Sequence, residues 1–213
     1  MIDETDFSKL TLDNFLDRVS SRTPTPGGGS VTAAVGALAG ALSRMVVAYT
    51  KIPEEGVALP TLQCLPQWLQ RTDELFRALI TKDAQVYSEL CAVQKNATSP
   101  STHALCVAQQ NAASVALEVA ALASNALASL DEVKGALNPR LASDVGIAAV
   151  LFEAVAKAAA YTVFVNIQCI SDESLRNRIK IEVREVVGHA RDHSESIQDT
   201  IRPLLQTDVD LGR

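Results

Sequence analysis

The chain has 213 residues and carries 19 Lys and Arg against 25 Asp and Glu, a formal net charge of −6, with 47% hydrophobic and 21% charged residues. That length supports one sizeable core, and the apolar content excludes a disordered acidic tail. An acidic balance with no cluster of Lys and Arg excludes a phosphate-neutralising nucleic-acid surface.

Thirty-one alanines and only 4% aromatic residues favour helix over strand. The chain order predicts an all-α, multihelical bundle of about six helices with long, partly interrupted central helices. Thr11 precedes Leu12, Phe15, Leu16 and Val19 at helical spacing, a capped first helix over about 11–21. Thr23-Pro24-Thr25-Pro26 and Gly27-Gly28-Gly29 then break the chain, and Ser30 is placed to cap a second helix running to about Thr50. After a break over Lys51–Pro60, Leu65, Trp68, Leu69, Leu75, Phe76, Leu79 and Ile80 mark a long amphipathic helix to about Gln94, with Pro66 near its start. The polar stretch 96–102 precedes an Ala-dense helix at about 103–130, and Gly135–Arg140 breaks the chain again. A fifth helix runs from about Ser143 to Cys169, and Ser171-Asp172 caps a charged sixth one ending near Pro203. A frayed tail is expected after Leu205.

Helices 2, 4 and 5 are apolar on nearly every face and rich in Gly and Ala, as in Gly36-Ala37-Leu38-Ala39-Gly40. They are expected to be central, with surplus apolar surface covered in a homodimer or higher oligomer. Charged or polar residues interrupt each of them, which reads as core rather than as membrane span. Cys64, Cys91, Cys106 and Cys169 have no paired spacing, and the start MIDETDFSKL lacks a basic, then apolar, leader. Together these predict a cytoplasmic protein with no membrane partner.

Among chemistry-bearing features, Gly27-Gly28-Gly29-Ser30 at a helix start offers backbone N–H groups to an electron-rich ligand, or serves as a plain turn. It lacks the Lys of a P-loop and the preceding strand of a dinucleotide fingerprint. Asp83 lies within an amphipathic helix and Asp144 stands at the start of an apolar one, where acids are commonly solvated or capping. Asn166 is a lone amide in an apolar run, for which a bond to a neighbouring helix is the default. Glu153 and Lys157 have ion-pair spacing. His189 and His193 share a helix face, but Ala190 stands where a metalloprotease signature needs Glu, so no metal is predicted.

Three of these elements carry a resemblance. Pro24-Thr25-Pro26-Gly27-Gly28-Gly29-Ser30-Val31, Asp83-Ala84-Gln85-Val86-Tyr87 and Asn138-Pro139-Arg140-Leu141-Ala142-Ser143-Asp144-Val145-Gly146 follow one another in the order found in the cyclodeaminase/cyclohydrolase family of folate enzymes. Asn166 falls where that family has an asparagine, and the match covers about residues 8–205 of a single domain. Arg140-Leu141 stands where the family usually has Asn-Ala. The resemblance implies a homodimeric helical bundle that binds a tetrahydrofolate derivative beside the glycine loop. It implies hydrolysis of 5,10-methenyltetrahydrofolate to 10-formyltetrahydrofolate, cyclodeamination of 5-formimidoyltetrahydrofolate, or both. Each reaction passes through a tetrahedral carbon and needs proton transfers that carboxylates can make without metal or further cofactor. Asp83 and Asp144 are the expected catalytic pair, converging on one pocket with Asn166. Gly27, Gly28, Gly29, Ser30, Asn138, Arg140 and Asn166 are the expected substrate-binding set, with Arg140 toward the glutamate tail. The competing readings are a catalytically inactive helical interaction module and a binding protein for another small anion.

Overall fold

The computed structural model describes residues 6–52, 59–96 and 103–205. Within them the chain forms six α-helices: α1 (Leu12–Ser20), α2 (Gly28–Ala48), α3 (Leu59–Asn96), α4 (His103–Val133), α5 (Ala142–Asn166) and α6 (Glu173–Ile201). Short 3₁₀ turns fill most of the remainder, and no strand occurs among the described residues. The expected frayed tail, and most of the two breaks before α3 and α4, lie outside the described residues.

Local chemistry sets the boundaries. Thr11 Oγ1 accepts the Asn14 N–H to start α1, and Asp172 caps α6 by accepting the Leu175 N–H at 3.0 Å. The Asn138 side chain accepts the Arg140 N–H and so shapes the turn Pro139–Leu141 ahead of α5. Pro66 lies inside α3, which continues through it.

Helices α2 to α5 alternate in direction. Ser30 faces Asp83, Gly36 faces Phe76 and Gly40 faces Asp73, which makes α2 and α3 antiparallel. Thr61 bonds Glu132 and Lys82 pairs with Glu118, so α4 runs antiparallel to α3. Contacts α2–α3, α3–α4, α4–α5 and α5–α2 close a four-helix ring, and α6 lies outside it against α4 and α5.

The core centres on Phe76 and Phe152, stacked with centroids 6.0 Å apart. Phe76 occupies the space where a Cβ at Gly36 would be, its ring 2.4 Å from that position, so the glycine allows α2 and α3 to close. At this seam the buried Asp73 carboxylate accepts from Arg44 and Arg77, each at 3.0 Å. A second polar knot joins α4 to α6. Burial pushes the Asp131 carboxyl up, but hydrogen bonds from Lys134, His193 and Ser196 outweigh it and hold the group below its ordinary range. His193, its Nδ1 at 2.9 Å from Asp131 Oδ2, thus helps to hold α6 on α4.

By length and composition α2, α4 and α5 could each cross a membrane. As expected of central helices, α4 is packed by α3, α5 and α6, and α5 by α2, α4 and α6, whereas α2 rests chiefly on α3 and α5. Both α2 and α5 bury one side and leave an apolar stripe on the other. Leu38 of α2 and Tyr49 at its C-terminal cap are 61% and 67% exposed, and Tyr161 and Val165 of α5 are 75% and 69% exposed.

Candidate active site

The start of α2 differs from the sequence expectation in an instructive way. Ser30 is not the cap. The helix begins at Gly28 with Gly27 as its N-cap, and the Gly27 carbonyl accepts the Val31 N–H at 3.0 Å. Ser30 is fully buried and turned inward, its hydroxyl shared between the Ile80 carbonyl and Asp83 Oδ2, both at 2.9 Å. The run Thr23–Pro26, which includes a cis Thr25–Pro26 bond, brings the chain to this helix end.

Asp83 crosses from α3 to meet α2. Its carboxyl rests against the Gly29 backbone so closely that a Cβ there would lie 1.9 Å from Oδ1. The glycine is thus required by the approach of the acid. Asp83 also accepts the backbone N–H of Ser30, one of the donors that a helix start leaves without an internal partner. Burial raises the Asp83 pKa above the ordinary carboxylate value, and the two bonds from Ser30 partly oppose that rise. A carboxyl only 8% exposed, at the positive end of a helix, can hold or release a proton within reach of a ligand.

A cleft of about 460 Å³ opens above this acid. Gly27, Gly28 and Gly29 form one wall, Asp83, Tyr87 and Leu90 of α3 the floor, and Tyr161, Val165 and Asn166 of α5 the facing wall. Its size falls in the range of small-molecule sites. Tyr87 and Tyr161 stand on opposing helices at its rim, both exposed. Asn166 is 8% exposed, and its Nδ2 donates to the Thr162 carbonyl of its own helix at 2.8 Å, not to a neighbouring helix as expected. That bond leaves Oδ1 as the acceptor of the amide. Pro24 and Gln94 add to the lining, and Gln109 of α4 and Thr162 complete it. Neither was singled out from the sequence for this role, although Gln109 is visible there as a polar interruption of an Ala-rich run.

The remaining expected residues lie elsewhere. Asn138 donates its Nδ2 to the Tyr49 carbonyl at 2.8 Å, and its N–H bonds Thr50 Oγ1, which ties the turn before α5 to the end of α2. Arg140 is exposed on that turn, and Asp144 sits half-buried in the first turn of α5. Asp144 and Asn166 are 22 residues apart on one continuous helix, about 33 Å along its axis. One chain therefore gathers Gly27, Gly28, Gly29, Ser30, Asp83 and Asn166 at one end of the bundle. It holds Asn138, Arg140 and Asp144 at the other. The expected convergence of Asp83 with Asp144 does not occur within one chain.

Comparison with known proteins places this arrangement. The family model described as formiminotransferase-cyclodeaminase matches residues 11–185. A methenyltetrahydrofolate cyclohydrolase of Methylorubrum extorquens is 28% identical over 204 residues, covering 90% of this chain and 96% of that protein. The formimidoyltransferase-cyclodeaminase of Rattus norvegicus is 26% identical over 189 residues, but the match spans only 35% of its length. The crystal structure of a formiminotetrahydrofolate cyclodeaminase from Thermotoga maritima superposes with a TM-score of 0.84 at 27% identity, covering 92% of this chain and 98% of that one. Matched by the family model from α1 into α6, and alike in fold to a solved relative over nearly its whole length, the chain belongs to the formiminotransferase-cyclodeaminase family.

Proposed function

We propose that the protein works on the one-carbon bridge of tetrahydrofolate, by one or both of two reactions. It opens 5,10-methenyltetrahydrofolate with water to 10-formyltetrahydrofolate, or closes 5-formimidoyltetrahydrofolate to the methenyl form with release of ammonia. The similar proteins of M. extorquens and T. maritima are named for these two activities. The observation that carries the reading is the buried Asp83 carboxyl at the floor of a cleft, held against a helix N-terminus.

In the hydrolytic direction water adds to the cationic methenyl carbon and loses a proton, and the carbinol hydroxyl then gives up its own as the bond from that carbon to N5 breaks and N5 gains one. In the other direction N10 adds to the formimidoyl carbon and gives up its proton, and the leaving nitrogen is protonated and departs as ammonia. Both directions need a group that takes a proton and returns it beside a tetrahedral carbon. A carboxyl whose pKa burial raises above the ordinary carboxylate value suits that work. Its charged form also complements the methenyl cation. Tyr87 and Tyr161 both line the cleft and offer aromatic faces for the flat pterin, and the N–H groups of Gly28 and Gly29 at the start of α2 are donors for its polar groups. No cofactor beyond the folate itself enters these steps.

The working unit in this reading is a homodimer joined through the uncovered stripes of α2 and α5, Leu38, Met45 and Tyr49 beside Ile147, Val150 and Tyr161. A twofold axis crossing α5 near Ala154 sets the Asp144 end of one copy beside the Asn166 end of the other. Each site then takes Asp83 from one copy, with Asp144 and Arg140 from the second. A reducing, cytoplasmic setting suits the four cysteines, all of which are free.

The test follows the methenyl chromophore. Purified protein should accelerate its loss from methenyltetrahydrofolate over the spontaneous rate, or its appearance, with ammonia, from formimidoyltetrahydrofolate. Asp83→Asn should fold and lose about 10²–10⁴-fold in rate. Wild-type protein that accelerates neither reaction would overturn the reading and favour a helical interaction module.

A further inference from the structure

We propose that Gln109 is a substrate-recognition residue that reads the amino-oxo edge of the pterin ring, an inference that rests on the folate reading above. Among the buried side-chain nitrogen and oxygen atoms of the described residues, Gln109 Oε1 has no hydrogen-bond partner. The residue sits on α4 and lines the same cleft as Asp83 and Asn166. A buried amide oxygen without a partner loses its hydration and gains nothing in return. Leu or Met would fill the same space without that penalty, so packing gives no reason for an amide here. A donor that arrives with the ligand does.

The chemistry of the cleft names that donor. Asn166 donates one N–H of its Nδ2 to the Thr162 carbonyl, and its Oδ1 is an acceptor on the same cleft. With Gln109 Oε1 on the neighbouring helix, this gives two amide oxygens in one cleft, which suits a ligand edge that carries N–H groups. The 2-amino-4-oxopyrimidine ring of a pterin presents such an edge, an NH₂ and a ring N–H beside a carbonyl. The amide oxygen of Gln109, with its two lone pairs, accepts from the 2-amino group and from the adjacent ring N–H. In the ligand-free protein Oε1 is closed off from solvent. The amide reaches the ligand by turning about its terminal torsion, which is soft.

The experiment compares wild type with Gln109→Leu and Gln109→Glu on methenyltetrahydrofolate and on its analogue lacking the 2-amino group, with thermal melting alongside. Wild type should prefer the 2-amino substrate. Gln109→Leu should raise KM for it about three- to tenfold, leave kcat within about twofold, and lose the preference between the two substrates. Its melting temperature should hold or rise, because an unpaired polar atom has been removed. Gln109→Glu, which keeps an acceptor, should retain the preference. Unchanged KM in Gln109→Leu, or a raised KM with the preference intact, overturns the assignment while the folate reading stands. Wild-type protein inactive on both substrates overturns the folate reading, and this inference with it.

Discussion

At the scale of single residues, the site is built by a swap of roles between neighbours. In a Gly-Gly-Gly-Ser run the hydroxyl is the natural cap and the glycines the natural turn, because local chemistry is all that the sequence displays. The structure takes the glycines into the helix and turns Ser30 inward, because an acid 53 residues away supplies the stabilising negative charge and needs the Gly29 position empty of a side chain. Such a tertiary contact leaves no local signature beyond the glycines themselves. It has a consequence for pH dependence. If ionised Asp83 is the working base, kcat/KM falls as pH drops through its pKa, and burial places that limb above the ordinary carboxylate value. The Ser30 hydroxyl stabilises the charged form and holds the limb down. Ser30→Ala should therefore move the acid limb to higher pH, so that the variant loses more activity at pH 5 than at pH 8. A pH–rate profile parallel to that of the wild type would show that the hydroxyl only fills space.

At the scale of elements, helices with strong local signals were legible and their contacts were not. The Thr11 and Asp172 caps and the Asn138-Pro139 break read correctly, since each is decided within four residues. Which glycine of α2 faces what could not be read, because Gly36 and Gly40 look alike in sequence. The structure separates them sharply. A Cβ at Gly36 would lie 2.4 Å from the Phe76 ring, which is fully buried and stacked on Phe152, whereas at Gly40 the nearest atom is 3.7 Å away on Asp73. Gly36→Ala should then force the α2–α3 seam apart at a cost of about 1–3 kcal/mol, lowering Tm by several degrees. Gly40→Ala should be neutral or slightly stabilising, since Ala is the better helix former. Thermal melts of the two variants check this, and equal shifts would mean that the seam yields as readily at both positions.

At the scale of the whole molecule, the sequence motifs name candidate residues but cannot say how many chains build a site. Three motifs in order invite the assumption of one pocket. Up-and-down topology defeats it, because an unbroken α5 holds Asp144 and Asn166 at opposite ends of the bundle. The exposed stripes of α2 and α5 resolve this if two copies pair with α5 against α5, each lending its Asp144 end to the other's Asp83 end. The arrangement makes a quantitative prediction about mixtures. Asp83→Asn and Asp144→Asn should each be nearly inactive as pure proteins. Co-expressed so that subunits pair at random, about half of the dimers are mixed. In each mixed dimer one site carries both substitutions and the other carries neither, so about a quarter of wild-type activity should return. Were both acids used by a site within one chain, every site would keep one defect and the mixture would stay as inactive as its parents. Recovery measured by loss of the methenyl chromophore, with pure variants as controls, decides whether the site is shared.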